Sequence, residues 1–283
     1  MLQRELTLFF TALMFYTRLP CPRWVGHSPG GHSSGQLNEA TRYFPLIGWI
    51  VGGSMAGAIY LALGLFPLSV SVLLGLGVSI LMTGAFHEDG WADACDGFGG
   101  GWTKEQILLI MKDSRLGTYG VMGLLLLMGT KFWTLYELGQ RSAEVLFTTI
   151  IASHALSRGL AATFIRTHAY VRDNVDSKAK PIAQRLSTTN LLIAGGFALL
   201  PFVLFPRWPL LLAILPAGLM RLYLGHYFHR WIGGYTGDCL GATQQLCELT
   251  MVLSVLALNT HMPSSFLTWL PLFRSFVPLW MST

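Results

Sequence analysis

Charged side chains are scarce in this chain. Asp, Glu, Lys and Arg make up 12% of its 283 residues, about half of the roughly 25% found in soluble domains. With a mean hydropathy of +0.51, so little charge cannot clothe a water-soluble protein of this length. Cysteine is nearly absent too. Cys21, Cys95, Cys239 and Cys247 form no CxxC pair, which argues against a disulfide framework and a zinc site and leaves them as small apolar helix residues. There is no Walker A loop, no GxSxG elbow and no triad spacing of Ser and His, so neither P-loop phosphate binding nor serine-nucleophile chemistry is expected. The net charge of +5 lies in loops between apolar runs. That fits membrane flanks, and no nucleic-acid partner is expected.

What the chain has in quantity is long apolar runs. They fall at about 43–66, 69–86, 117–138, 145–164, 191–205, 210–228 and 246–258. The expected fold is therefore all-α: a polytopic integral membrane protein with about seven transmembrane helices, built as a single domain over 1–283. Met1 to Tyr16 resembles a signal peptide but lacks a small-x-small cleavage site, so it is read as a retained helix at the membrane interface. Pro22 to Leu37 is read as a flexible loop, and 260–283 as an apolar tail on the outer interface. One set of loops carries Arg18, Arg23, Arg42, Lys104, Lys112, Arg115, Arg166, Arg172, Lys178, Lys180, Arg185 and Arg230. The other carries Arg141, Arg207 and Arg274. The richer side is expected to be cytoplasmic.

The chemistry is concentrated between His87 and Gly120. On a helix, Asp89, Asp93 and Asp96 stand at i, i+4 and i+7 and share one face. Stacked carboxylates repel, and deep in a bilayer each costs about 2.5–3.5 kcal/mol. A divalent cation offsets that, and hard carboxylate oxygens suit Mg²⁺ with positions left for phosphate oxygens. The plainer alternative is a solvated helix start favoured by the dipole, against which stand Trp91, Ala92, Ala94 and Cys95 around the acids. Gly97 to Gly101 is expected to end this helix and turn the chain. Thr103 and Gln106 then form a capping box for a cytoplasmic amphipathic helix that runs to Lys112-Asp113-Ser114-Arg115. Asp113 either folds back as a fourth carboxylate, giving a two-metal clamp, or pairs with Arg115 or Lys112. Lys112 and Arg115 either fork onto a pyrophosphate or serve only as positive flanks. Arg158, inside the fourth run, is expected to face the interior. Asp238 in Gly-Gly-Tyr-Thr-Gly-Asp either meets a substrate or caps the next helix. Lys131 has no assigned partner.

Four stretches carry a resemblance. FHEDGWADACDGFGGG with IMKDSRLGTYG, FYTRLPCPR at Phe15 to Arg23, RYFPLIGWIVGG at Arg42 to Gly53, and GGYTGDCLGATQQLCEL at Gly233 to Leu249 resemble the adenosylcobinamide-GDP ribazoletransferase (cobalamin-5′-phosphate synthase) family. The resemblance implies a multi-pass inner-membrane transferase whose site faces the cytoplasm and which completes the nucleotide loop of cobalamin. It joins adenosylcobinamide-GDP to α-ribazole or its 5′-phosphate, releases GMP and uses Mg²⁺. Carried over, Asp89, Asp93, Asp96 and Asp113 are the metal ligands, with Asp96 or Asp113 accepting the hydroxyl proton. Lys112, Ser114, Arg115 and the TGD loop (Thr236 to Asp238) line the substrate site, with Arg158 a further candidate. Two Mg²⁺ ions grip the pyrophosphate while the ribazole 5′-hydroxyl attacks. The partners expected are these substrates, the lipid bilayer and a second copy in a homo-oligomer. The competing readings are a lipid-directed CDP-alcohol phosphotransferase and a cation transporter.

Overall fold

A computed structural model describes residues 2–22, 34–172 and 185–261. In it the apolar runs become helices, each ended by local chemistry. α1 (Leu2–Tyr16) buries Leu8, Ala12, Leu13 and Tyr16 along one stripe, and Arg18 N–H then donates to the Met82 carbonyl at 2.7 Å. α2 (Ser34–Ala40) and a 3₁₀ turn lead into α3 (Phe44–Ala62), with Pro45 in its first turn. The region read as a flexible loop therefore becomes helical from Ser34, and residues 23–33 of it lie outside the described residues. α4 (Leu68–Thr83) stops at Gly84, φ 66°, followed by Ala85 at φ 59°. A left-handed pair needs glycine for at least one member, and the Arg18 side chain lies directly against Gly84 where a Cβ would stand. This turn sets α5 (Phe86–Gly100) at 88° to α4.

α6 (Lys104–Lys112) opens with the expected capping box: Thr103 Oγ1 accepts from Gln106 N–H, and Gln106 reaches back to Thr103 N–H. α7 (Thr118–Arg141), α8 (Ala143–Thr167), α9 (Thr188–Leu204), α10 (Trp208–Ile232) and α11 (Gly237–His261) follow. Two buried clusters hold the bundle. One joins α1, α5, α6 and the site-proximal parts of α3, α8, α10 and α11; the other joins α4 and α7 to the remainder of α3, α8, α10 and α11. Large apolar residues such as Leu73, Leu81, Leu125, Leu192, Leu215 and Leu222 stay exposed, as a lipid-facing surface requires.

The chain is thus an all-α, multi-pass membrane protein. Each of the seven apolar runs forms a helix. Among the described residues five helical stretches are long and apolar enough to cross a bilayer, and a sixth qualifies only if α4 and α5 count as one bent span. α4 and α9 have 16 and 17 residues, roughly 24–26 Å at 1.5 Å per residue against roughly 30 Å of hydrocarbon. Two boundaries also move. α5 takes in the glycine run to Gly100, with Met111 and Tyr119 packed on it. α11 begins at Gly237, nine residues before the expected start at 246, because Thr243, Gln244 and Gln245 are buried against protein partners and not looped into water. It ends at His261, and residues 262–283 of the proposed tail lie outside the described residues.

Candidate active site

α5 presents its acidic face to the start of α11. The two helices cross at Gly90 and Gly241, where a Cβ on Gly90 would come within 3.2 Å of the Asp238 and Gly241 Cα atoms. That is closer than most Cβ contacts, so glycine suits the crossing, which sets Asp89 and Asp93 opposite Asp238. A third segment joins them. After α8 the chain pairs with the loop before α11: Tyr235 N–H donates to the Ala169 carbonyl at 2.9 Å and Val171 N–H to the Tyr235 carbonyl at 3.1 Å. This stitch delivers Arg172, whose guanidinium donates to Asp238 Oδ2 at 2.9 Å and to the Met111 carbonyl at 3.1 Å. Thr236 Oγ1 lies 3.3 Å from the same Asp238 oxygen.

Asp89 is exposed and Asp93 half-buried, and neither side chain has a hydrogen-bond partner among the described residues. Burial pushes the Asp93 carboxyl up to about 7. Asp238 and Asp89 add to the rise, Arg172 opposes it, and Asp96 adds again. Three carboxylates facing one guanidinium leave negative charge uncompensated.

The other predicted residues are placed differently. Asp96 is buried, and each of its oxygens accepts a backbone bond: Gly117 N–H donates to Oδ2 at 2.7 Å and Gly120 N–H to Oδ1 at 2.8 Å. It anchors the N-terminus of α7, where backbone donors and the dipole favour an anion. Asp113 does not join the Asp89–Asp93–Asp238 group. Arg115 grips it with contacts of 2.6 to 3.1 Å and its own backbone N–H, which holds the Asp113 carboxyl below its usual range. Lys112, Ser114 and Arg115 are exposed. Arg158 is enclosed in the bundle, with its NH1 donating to the His154 carbonyl at 2.9 Å and lying 3.0 Å from the His154 ring.

Beneath the acidic face lies a buried polar network. Lys131 Nζ donates to Glu248 at 2.7 Å and also contacts Gln245. Gln245 donates to Glu88 at 2.9 Å, and Gln244 to Glu248 at 2.6 Å. Glu88, next to Asp89, is thereby tied to α11. Arg172, Gln244, Gln245 and Glu248 were missing from the sequence reading of the site, in which Thr236 figured only as part of the TGD loop. The one signal for the network was Lys131, a cation inside an apolar span and hence in need of a partner.

Among the described residues no three His, Cys, Asp or Glu side chains stand close enough to hold an ion by themselves. Mg²⁺ seldom uses such a cage. It takes one or two carboxylates and completes its shell with water and substrate phosphate. Asp89, Asp93 and Asp238, oxygen donors with uncompensated charge, fit that mode. Asp96 serves the fold: Asp96→Ala is expected to cost about 1–3 kcal/mol, read as a lower unfolding midpoint in detergent, and an unchanged midpoint would refute the anchoring role.

The family model described as cobalamin-5-phosphate synthase matches residues 8–257. A Shewanella frigidimarina protein named adenosylcobinamide-GDP ribazoletransferase is 45% identical over 265 residues, covering 90% of this chain and 96% of its own. A Shewanella woodyi protein of the same name is 45% identical, over 91% of this chain and 98% of its own. One from Ralstonia pickettii is 44% identical, over 88% and 94%. No solved structure matches.

Proposed function

The chain belongs to the cobalamin-5-phosphate synthase family, and from that premise we propose that it carries out the transfer its relatives are named for. It joins adenosylcobinamide-GDP to α-ribazole or α-ribazole 5′-phosphate, the last assembly of the nucleotide loop of cobalamin, and releases GMP. The observation that carries this reading is the meeting of Asp89 and Asp93 with Asp238 and Arg172 from two other segments. A lipid-directed CDP-alcohol transferase and a transporter are set aside, since the family match runs nearly end to end.

In the reaction an acceptor hydroxyl oxygen bonds to the phosphorus that carries cobinamide. The bond from that phosphorus to the bridging oxygen breaks, and GMP leaves with the bridging oxygen. The nucleophile is a secondary ribose hydroxyl and not the 5′-hydroxyl, because a product named for its 5-phosphate keeps that oxygen occupied. One or two of Asp89, Asp93 and Asp238 would hold a Mg²⁺ ion, which would supply charge neutralisation to the pyrophosphate. Asp93, which has no hydrogen-bond partner among the described residues and whose carboxyl burial pushes up to about 7, takes the hydroxyl proton, while Asp96 and Asp113 are each held by N–H donors. Arg172 fixes the Asp238 carboxylate and presents a guanidinium edge suited to phosphate oxygens. Lys112, Ser114 and Arg115 line the entrance. Enclosed Arg158 positions α8 and contacts no substrate. The site faces the cytoplasm of a cell whose inner membrane holds the protein, a reading supported by the basic loops on the site's side.

The test is GMP release by detergent-solubilised protein given adenosylcobinamide-GDP and α-ribazole. We expect GMP matched by cobalamin product, falling to background in EDTA and restored by Mg²⁺. No GMP from folded protein with Mg²⁺ present would overturn the assignment, and EDTA-resistant turnover would remove the metal from it.

A further inference from the structure

Among the described residues the buried Lys and Arg side chains are Arg42, Lys131, Arg158 and Arg221. Three of them meet a carboxylate. Arg42 lies 3.4 Å from Glu39 and 3.5 Å from Glu5, Lys131 lies 2.7 Å from Glu248, and Arg158 lies 4.0 Å from Glu248. Arg221, 8% exposed, meets none among the described residues. Its Nε donates to Thr163 Oγ1 at 2.7 Å and its NH2 to Thr167 Oγ1, and the guanidinium stands 4.4 Å from the centre of the Phe164 ring. Hydroxyls and a ring face orient a cation but carry no opposite charge. NH1 has no hydrogen-bond partner among the described residues, and it lies beside Gly225, where a Cβ would stand 3.4 Å from NH1 and 3.0 Å from the His168 ring. A buried charge without a counter-charge is costly, and within a membrane bundle it points to a ligand.

The packing around Arg221 supplies the second observation. α9 and α10 both pack on α8 but scarcely on each other, although only residues 205–207 separate them in sequence. α8 shows where the gap between them runs. From Leu156 to Thr167 the residues left open are Leu160, Thr163, Arg166 and Thr167, all on one side of the helix, while the rest are buried. On α10, Gly218, Arg221 and Gly225 stand at i, i+3 and i+7 and share a face, and a Cβ on Gly218 would meet nothing within 4 Å. Exposed Tyr223 and Trp231 on α10 mark the polar boundary of a bilayer near this level. From Val145 to Thr167, and throughout α9 and α10, there is no Asp or Glu, so the walls of the crevice are apolar or positive.

We propose that this crevice binds an anionic phospholipid, with an acyl chain lying between α9 and α10 and the phosphodiester meeting Arg221 NH1. Guanidinium suits phosphate oxygens, and basic pockets between spans hold anionic headgroups. A zwitterionic lipid also brings a phosphate, but its ammonium group finds no acid in these walls. The occupant is a lipid and not a soluble anion, because the open stripe continues from Arg221 past Thr163 and Leu160, away from the end of α8. The inference needs no substrate and stands apart from the transfer reading.

The test counts bound lipid. The full chain is reconstituted in nanodiscs of phosphatidylcholine doped with phosphatidylglycerol, released, and examined by native mass spectrometry. Selective retention of phosphatidylglycerol is expected, falling by about tenfold or more in Arg221→Gln, as the loss of a charged hydrogen-bond donor implies, and partly restored in Arg221→Lys. Gly218→Leu fills the crevice where a side chain has room and leaves the Arg221 contacts in place, and the same loss is expected there. That variant decides the matter if Arg221→Gln fails to fold, and unchanged retention in it overturns the proposal. Arg230→Gln, an exposed cation of α10, is expected to retain the lipid as the wild type does. Equal retention of the two lipids, or an equal loss in Arg230→Gln, would reduce the site to surface attraction and overturn it. Displacement of the bound phosphatidylglycerol by inorganic phosphate would assign Arg221 to a soluble anion and overturn it as well.

Discussion

Asp93→Asn is expected to cut GMP release by about 10²–10⁴-fold, the range lost when a general base is removed, while leaving the protein folded. The substitution is nearly isosteric, and Asp93 has no hydrogen bond to lose among the described residues. What it removes is charge at the centre of the Asp89, Asp238 and Arg172 group, where burial and two flanking acids already press on the carboxyl. An amide neither accepts the hydroxyl proton nor balances a cation. The comparison that gives the result meaning is Asp113→Asn. There the lost partner is Arg115, exposed and in water, and surface pairs are worth about 0–1 kcal/mol, so less than about tenfold change in kcat is expected. Initial rates at saturating Mg²⁺ and both substrates, on samples with matched unfolding midpoints, decide it. Near-normal turnover by Asp93→Asn would remove the acidic face from the chemistry, and collapse of Asp113→Asn alone would move the site to the other side of α6.

The difference between these two aspartates marks where the sequence was legible. Helical spacing is local, so Asp89, Asp93 and Asp96 could be put on one face without knowing what lay opposite. Thr103 and Gln106 were equally readable, because a capping box closes over three residues. The partners of that face were hidden. Arg172 meets Asp238 only because Ala169 and Val171 pair with Tyr235 across more than sixty residues of chain, and no local pattern encodes such a stitch. The bend between α4 and α5 uses Ala85, an unusual residue at positive φ, so it carries half of the expected glycine signal. Gln244 and Gln245 looked like loop because they are polar. In the structure they are polar because they face a buried ion pair.

That ion pair carries the second large effect. Glu248→Gln and Lys131→Met are each expected to lower stability by about 3–5 kcal/mol, the cost of leaving one partner of a buried pair uncompensated. Four charges share this interior: Lys131 and Arg158 against Glu248 and Glu88. Either single variant leaves three of them and an imbalance of one. The double variant Lys131→Met/Glu248→Gln leaves Arg158 and Glu88, again balanced, and its glutamine can still accept from Gln244, which bonds Glu248 at 2.6 Å. The double variant is therefore expected to be more stable than either single, with a coupling of at least about 1 kcal/mol in the cycle. Denaturant or thermal unfolding in a fixed detergent measures it. Additive losses would mean that the two charges do not sense each other, which a separation of 2.7 Å in a buried setting forbids. The consequence reaches the site: Gln245 contacts Lys131 and donates to Glu88, the neighbour of Asp89. The membrane interior thus tolerates these charges because they compensate one another, and in doing so they lock the register of α5 against α11 on which the acidic face depends.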